Sequence, residues 1–197
     1  MKVIGITGVA GSGKSRICGM LTALGFKVID SDAVTKSFYY PGSPVLDEIA
    51  KCFGSEFIKE DGNLDRSRTA ALVFNDETAL EKLNAITHPP TLRKIGELLD
   101  GFKASGERLA FVESAIPYAA DYGDFCDEFW CVWADREELK RRMISDRGYS
   151  EERAEAVLAS QKPERLWDMS EHIIFNYNGL KDEKLSEILK RLTSCQI

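Results

Sequence analysis

The chain has no C-x-x-C pair, no long apolar run and no excess of basic residues. Its cysteines, Cys18, Cys52, Cys126, Cys131 and Cys195, are odd in number. Cys126 and Cys131 have no second cysteine pair or histidine beside them, so the spacing of a zinc site is missing. Free thiols in a reducing compartment are the expected state. No stretch approaches the ~20 apolar residues of a membrane span. The short apolar N-terminus runs straight into a motif, unlike a signal peptide. A net charge of −6 gives no electrostatic footprint for nucleic acid. Internal repeats and low-complexity linkers are also missing. These absences predict a cytoplasmic protein with no nucleic-acid and no membrane partner, a monomer or weak homo-oligomer.

What is present is ordinary for a soluble globular protein, with 44% hydrophobic and 29% charged residues. A chain of 197 residues suits one domain and buries roughly 70% of its unfolded surface. Lys2-Val3-Ile4-Gly5-Ile6-Thr7 has the profile of a buried parallel strand. A glycine-rich turn follows. Ile17, Leu21 and Leu24 then repeat at helical spacing up to Gly25. Phe26-Lys27-Val28-Ile29-Asp30 reads as a second strand ending in a carboxylate. This opening is that of a doubly wound α/β fold.

Residues 31 to about 105 read as mostly helical, with candidates at Asp32–Tyr40, Pro44–Phe53, Arg66–Phe74 and Glu77–Thr87. Asp61-Gly62 marks a turn. Pro89-Pro90 is expected to break the chain and start a further helix to about Ala104. Strand signals return at Leu109–Glu113, Phe129–Trp133 and His172–Asn176. A closing helix carries Leu185, Ile188, Leu189 and Leu192 on one face. The expected fold is a three-layer P-loop fold: a mostly parallel sheet of five strands flanked by helices. The expected core spans 1–31, 106–135 and 170–197, with a helical insertion at about 32–105 and a lid at about 136–169.

Gly8-x-x-x-x-Gly13-Lys14-Ser15 is a complete P-loop pattern, set after a strand and before a helix. Phosphate oxygens must be met by several inward-pointing backbone N–H groups. Gly8, Gly11 and Gly13 allow the required backbone angles and close approach. Ser12 completes the loop, and the helix that starts here adds the positive end of its dipole. Lys14 places a cation by the β- and γ-phosphates, and Ser15 offers a hydroxyl to Mg²⁺. The pattern predicts an ATP·Mg²⁺ site.

Other candidates follow from strand ends, because ligands of α/β sheets bind beyond the carboxyl ends of strands. Asp30 and Asp32 close the second strand, where a carboxylate could accept the proton of a phosphoryl acceptor. The competing role for Asp32 is to cap the next helix. Glu113 closes the third strand, either as a carboxylate toward Mg²⁺ or as a plain surface group. Arg136, Arg141, Arg142, Arg147, Arg153 and Arg165 cluster before the last strand. Their forks suit phosphate oxygens, yet interleaved glutamates make much of this an ion-paired helix surface. His88 alone has the profile of a structural histidine. Phe38, Tyr39, Tyr40 and Phe53 are core, or the wall of an apolar groove.

Taken in order, these segments resemble the bacterial dephospho-CoA kinases over nearly the whole chain. The carriers are the P-loop, Leu24-Gly25-Phe26-Lys27-Val28-Ile29-Asp30-Ser31-Asp32, Asp61-Gly62-x-Leu64-Asp65-Arg66 and Leu83-Asn84-x-Ile86-x-His88-Pro89. Gln161, Glu164-Arg165 and Ile173-Ile174-x-Asn176-x-x-Gly179 are similar to the closing pattern. The resemblance implies transfer of phosphate from ATP to the ribose 3′-hydroxyl of dephospho-CoA, the last step of coenzyme A synthesis. It implies Asp32 as general base, with Lys14 and Arg142 beside it in catalysis. It implies His88, Arg147 and Arg165 as substrate contacts, the helical insertion as the CoA-binding part and the arginine-rich stretch as lid. Two departures stand out. Arg16 replaces the usual threonine after Lys-Ser, where it can touch the nucleotide. Glu113 replaces the usual aspartate, in an altered apolar block. Two alternatives stand beside this expectation: a nucleoside or nucleotide kinase on the same loop, and a nucleotide-binding module with impaired catalysis.

Overall fold

The structure is a computed structural model and describes residues 1–114, 125–161, 166, 168, 170–176 and 190. β1 (Lys2–Gly8), β2 (Lys27–Asp30), β3 (Leu109–Glu113), β4 (Glu128–Trp133) and β5 (His172–Phe175) form one sheet in the order β2-β3-β1-β4-β5. Every neighbouring pair is parallel, with Ile4 opposite Phe111 and Asp30 opposite Glu113. α1 (Lys14–Ala23) follows β1; α2 (Ser31–Lys36), α3 (Pro44–Phe53), α4 (Arg66–Asn75) and α5 (Glu77–Ala104) lie between β2 and β3. α6 (Arg136–Arg147) and α7 (Glu151–Ser160) precede β5.

Strand alternation splits the core in two, because successive side chains point to opposite faces. Ile4, Ile6, Phe111 and Trp130 pack with Ile17 and Leu21 of α1. Val3, Ile29, Ala110 and Val112 pack with Ile95 and Leu99 of α5. Buried on both faces, these strands read as continuous apolar runs, as parallel strands do. The order places β1 at the centre and its glycine loop at the carboxyl edge of the sheet. A smaller cluster of Val45, Leu46, Ile49, Phe57 and Leu64 holds α3 and α4, with Phe38, Tyr39 and Phe53 packed against it. Tyr40 stands apart, 52% exposed.

Several expectations are corrected. Pro89-Pro90 does not break the chain: α5 runs unbroken through both prolines. An interior proline removes an N–H and costs a helix ~3 kcal/mol. Burial of Thr87, Thr91, Ile95 and Leu99 pins both halves to one surface, so tertiary packing overrides the local penalty. The second strand ends at Asp30, so Asp32 lies in the first turn of α2 rather than on the strand. α2 stops at Lys36 rather than continuing to Tyr40. Leu24 caps α1 and is exposed, while Ile17, Cys18 and Leu21 form the buried face. The closing helix of Leu185, Ile188, Leu189 and Leu192 lies outside the described residues. No helix among the described residues is long and apolar enough to cross a membrane. Cys18 and Cys131 are buried free thiols, and Cys195 lies outside the described residues.

Candidate active site

The glycines of the loop are required by geometry. Gly8, Gly11 and Gly13 have φ of 148°, 81° and 95°, a region that favours glycine. A Cβ on Gly13 would collide with Asn176 Nδ2, and one on Gly8 with the Val132 carbonyl. The loop feeds directly into α1, whose first turn holds no acidic residue. Its positive end is therefore left open to an anion.

Lys14, Ser15 and Glu113 converge at this edge. Lys14 Nζ donates to the Gly8 carbonyl at 2.7 Å. Burial pushes the Lys14 ammonium below its ordinary pKa, and the Arg147 charge adds to the shift; Glu113 and Asp32 oppose it. Both carboxylates and Arg147 thus act electrostatically on Lys14. Ser15 Oγ donates to Glu113 Oε1 at 3.2 Å. Burial, with the Glu113 carboxylate beside it, raises the Cys18 thiol far above its ordinary range, so Cys18 stays protonated.

Asp30, not Asp32, caps α2: Asp30 Oδ1 accepts from Ala33 N–H at 2.9 Å. The capping role is filled, and the exposed Asp32 carboxylate is left for other work. Ser31 Oγ donates to the Glu113 carbonyl at 2.7 Å, tying the start of α2 to the end of β3.

A cleft of about 510 Å³ opens over the loop, lined by Gly11, Gly13, Lys14, Ser15, Arg16, Glu138, Arg141, Arg142, Asp146, Arg147 and Asn176. The structure thus brings Lys14, Ser15, Arg16, Arg142 and Arg147 together as the sequence suggested. Asp32, Glu113 and His88 do not line this cleft. His88 sits half-buried in α5, and Arg165 lies outside the described residues. Gly8 and Ser12 do not line the cleft either.

The arginines divide by what they touch. Arg142 donates from Nη1 to the Gly11 and Ser12 carbonyls (3.2 and 3.3 Å) and from Nη2 to the Asn176 carbonyl (2.7 Å). Its Nε donates to Glu138, which also takes both donors of the Arg141 fork. These hydrogen bonds hold Glu138 far below the usual carboxylate range, at about 2. Arg136 pairs with Glu155, and Arg153 stacks over Tyr149 at 4.2 Å. Arg147 makes no hydrogen bond or ion pair with any described residue.

Sequence reasoning gave no role at the site to Glu138, Asn176 or Gln161. Asn176 Nδ2 donates to the Ser12 carbonyl at 2.7 Å, and Gln161 Oε1 accepts from Ala10 N–H at 3.1 Å. The signal for Glu138 was its i,i+4 spacing from Arg142, read as surface pairing. Asn176 and Gln161 carried a signal only through the family pattern.

Two hard oxygen donors, Ser15 Oγ and a Glu113 carboxylate oxygen, stand together beside the loop. Among the described residues no group of three or more His, Cys, Asp or Glu forms a metal cage. Mg²⁺ keeps water and phosphate ligands and needs few from protein, so this donor set fits it.

A parallel sheet ending in this loop, with a half-buried lysine and a cationic cleft above it, defines a P-loop kinase fold. The chain belongs to the dephospho-CoA kinase family, whose model matches residues 2–182. It is 38% identical to the dephospho-CoA kinase of Anaeromyxobacter dehalogenans, covering 83% of this chain and 77% of that one. It is 35% identical to that of Geobacter sulfurreducens, covering 93% of both. TT1252 from Thermus thermophilus, a crystal structure, matches with a TM-score of 0.81 at 30% identity, over 98% of this chain and 96% of that one.

Proposed function

We propose that this chain moves the γ-phosphoryl group of ATP onto the ribose 3′-hydroxyl of dephospho-CoA, giving CoA and ADP. The observation that carries this reading is the glycine cradle with Lys14 and the Ser15–Glu113 pair at its mouth, in a chain of this family.

In this reading Lys14 and the loop amides hold the β- and γ-phosphates. Ser15 and Glu113 hold Mg²⁺, which when bound neutralises charge on the phosphate oxygens. Asp32 orients the acceptor hydroxyl and takes its proton as the new O–P bond forms and the bond to the leaving ADP breaks. The charge that Asp32 exerts on Lys14 supports that role. Arg147, with no ion-pair partner among the described residues, meets the charge that develops during transfer. Arg142 supplies positive potential at the cleft wall while bracing the loop. Arg16 contacts the nucleotide, and His88 and Arg165 contact dephospho-CoA. Residues at about 32–105 serve as the CoA-binding part and those at about 136–169 as lid. The protein works in the cytoplasm as a monomer or weak homo-oligomer, without nucleic-acid partners.

An ADP-release assay across dephospho-CoA, nucleosides and nucleotides tests the reading. Turnover confined to dephospho-CoA is expected. Turnover on a nucleoside with none on dephospho-CoA would overturn the acceptor, and ATP binding without turnover on any acceptor would leave a non-catalytic module. In the same assay Glu113→Gln is expected to raise the Mg²⁺ concentration for half-maximal rate about tenfold. An unchanged requirement would remove Glu113 from the metal site.

A further inference from the structure

The backbone amides of the cradle fall into two sets. Ser12 N–H donates to the Val9 carbonyl at 3.2 Å, and Ala10 N–H donates to Gln161 Oε1 at 3.1 Å. The amides of Gly11, Gly13, Lys14 and Ser15 have no acceptor among the described residues. Those four residues line the cleft, whereas Ala10 and Ser12 do not. The loop thus has amides left open for an anion and amides already satisfied. One of the satisfied amides depends on a side chain 151 residues away.

Gln161 immediately follows α7, which ends at Ser160. That part of the chain is already docked on the loop. Val9 lies in one apolar cluster with Leu139, Met143, Ala154 and Leu158, and Ala10 packs against it. A Cβ on Gly11 would come within 3.2 Å of the Leu139 carbonyl. Packing sets how close the loop and the helices lie, but apolar contact is not directional. The carboxamide adds direction, because an N–H···O bond weakens steeply when misaligned. The residue type also fits. A carboxamide oxygen accepts a hydrogen bond without bringing negative charge beside a polyphosphate, which a carboxylate would repel.

We propose that Gln161 is a positioning residue for the nucleotide. Its Oε1 holds the Ala10 amide away from the cleft and so fixes the loop in the form whose other amides receive the β- and γ-phosphates. The proposal rests on the reading of the loop as an ATP cradle. It separates Gln161 from the arginines of the same region, since it acts on a backbone N–H and needs no charge.

The test is nucleotide affinity by calorimetry on Gln161→Ala and on Gln161→Met, which keeps the side-chain stem but has no carboxamide. The Kd for ADP is expected to rise about fivefold, the worth of one hydrogen bond. The Kd for AMP, which lacks the β-phosphate, is expected to stay put. The KM for ATP should follow ADP while that for dephospho-CoA holds. Gln161→Glu keeps an acceptor but adds charge, so its ADP deficit should shrink as salt is raised, whereas that of Gln161→Ala should persist. Unchanged ADP affinity in a folded variant overturns the proposal, as does an equal loss for ADP and AMP. Failure of the unaltered protein to bind ADP would instead overturn the cradle itself. Hydrogen exchange at Ala10 in the unaltered, nucleotide-free protein needs no variant: protection is expected, and exchange at the unprotected rate overturns the proposal.

Discussion

The phosphate end and the helical region between β2 and β3 are held together in different ways. Each of α2, α3, α4 and α5 is capped by a residue three positions from the amide it accepts: Asp30, Ser43, Asp65 and Asp76. Caps of this kind are worth about 1 kcal/mol each and need nothing from distant parts of the chain. The loop is braced by partners far along the chain: Gln161 on Ala10, Arg142 on Gly11 and Ser12, Asn176 on Ser12. The helices of that region start on local signals and gather on a small apolar cluster, with α5 also packed on the sheet. The cradle is a backbone form that only its glycines allow, and partners from elsewhere in the chain hold it. Changes at the phosphate end should therefore disturb chemistry and nucleotide affinity more than changes at the acceptor side.

Lys14→Ala gives the largest expected effect. Removing the half-buried cation of the loop should lower kcat/KM about 10³-fold and weaken ADP binding. Steady-state kinetics with calorimetry checks both, and unchanged ADP affinity would contradict the role of Lys14 in the cradle. Asp32→Ala sharpens the contrast. Turnover should fall about 10²-fold with ADP affinity unaltered, because Asp32 serves the acceptor. Near-normal turnover would remove the base assignment.

Gly13→Ala probes the bracing itself. The new Cβ meets Asn176 Nδ2 on a backbone at φ 95°. Strain of about 1–3 kcal/mol should appear as a loss of ADP affinity of about 5- to 150-fold by calorimetry. Wild-type affinity would show that the loop relaxes freely.

The smallest effect concerns Glu138. Its pKa is depressed to about 2, from 4.5, by hydrogen bonds to Arg141 and Arg142. A depressed carboxylate contributes stability that is complete above its unfolded value and is lost as pH falls through the folded one. The Arg142 brace should therefore survive down to about pH 4 and fail toward pH 2. A carboxyl NMR titration of Glu138 with a midpoint near 4.5 would contradict the pairing.

The same contrast explains what the sequence disclosed. The strands, α3 and the loop were legible because apolar runs, Pro44 at a helix start and the glycine spacing act locally. α5 was misread at Pro89-Pro90 because a local breaker lost to the burial of Thr91, Ile95 and Leu99. Asp30 and Asp32 could not be told apart, since either is a good cap and strand periodicity assumed a strand that stops at Asp30. At the site, Lys14, Ser15 and Glu113 were within reach because each sits at the end of a strand or loop. The roles of Asn176 and Gln161 were hidden because they depend on pairings across most of the chain, and that of Glu138 because its i,i+4 contact with Arg142 reads the same as surface pairing. The arginines showed their number but not their division between bracing and surface pairing.

The most direct test of the central claim is phosphorus NMR on the product formed from ATP, Mg²⁺ and dephospho-CoA by the unaltered protein. The account predicts one new phosphomonoester, coupled to the ribose 3′-proton, in step with ADP. A monoester at another oxygen, or ATP consumed with no new monoester, would contradict it.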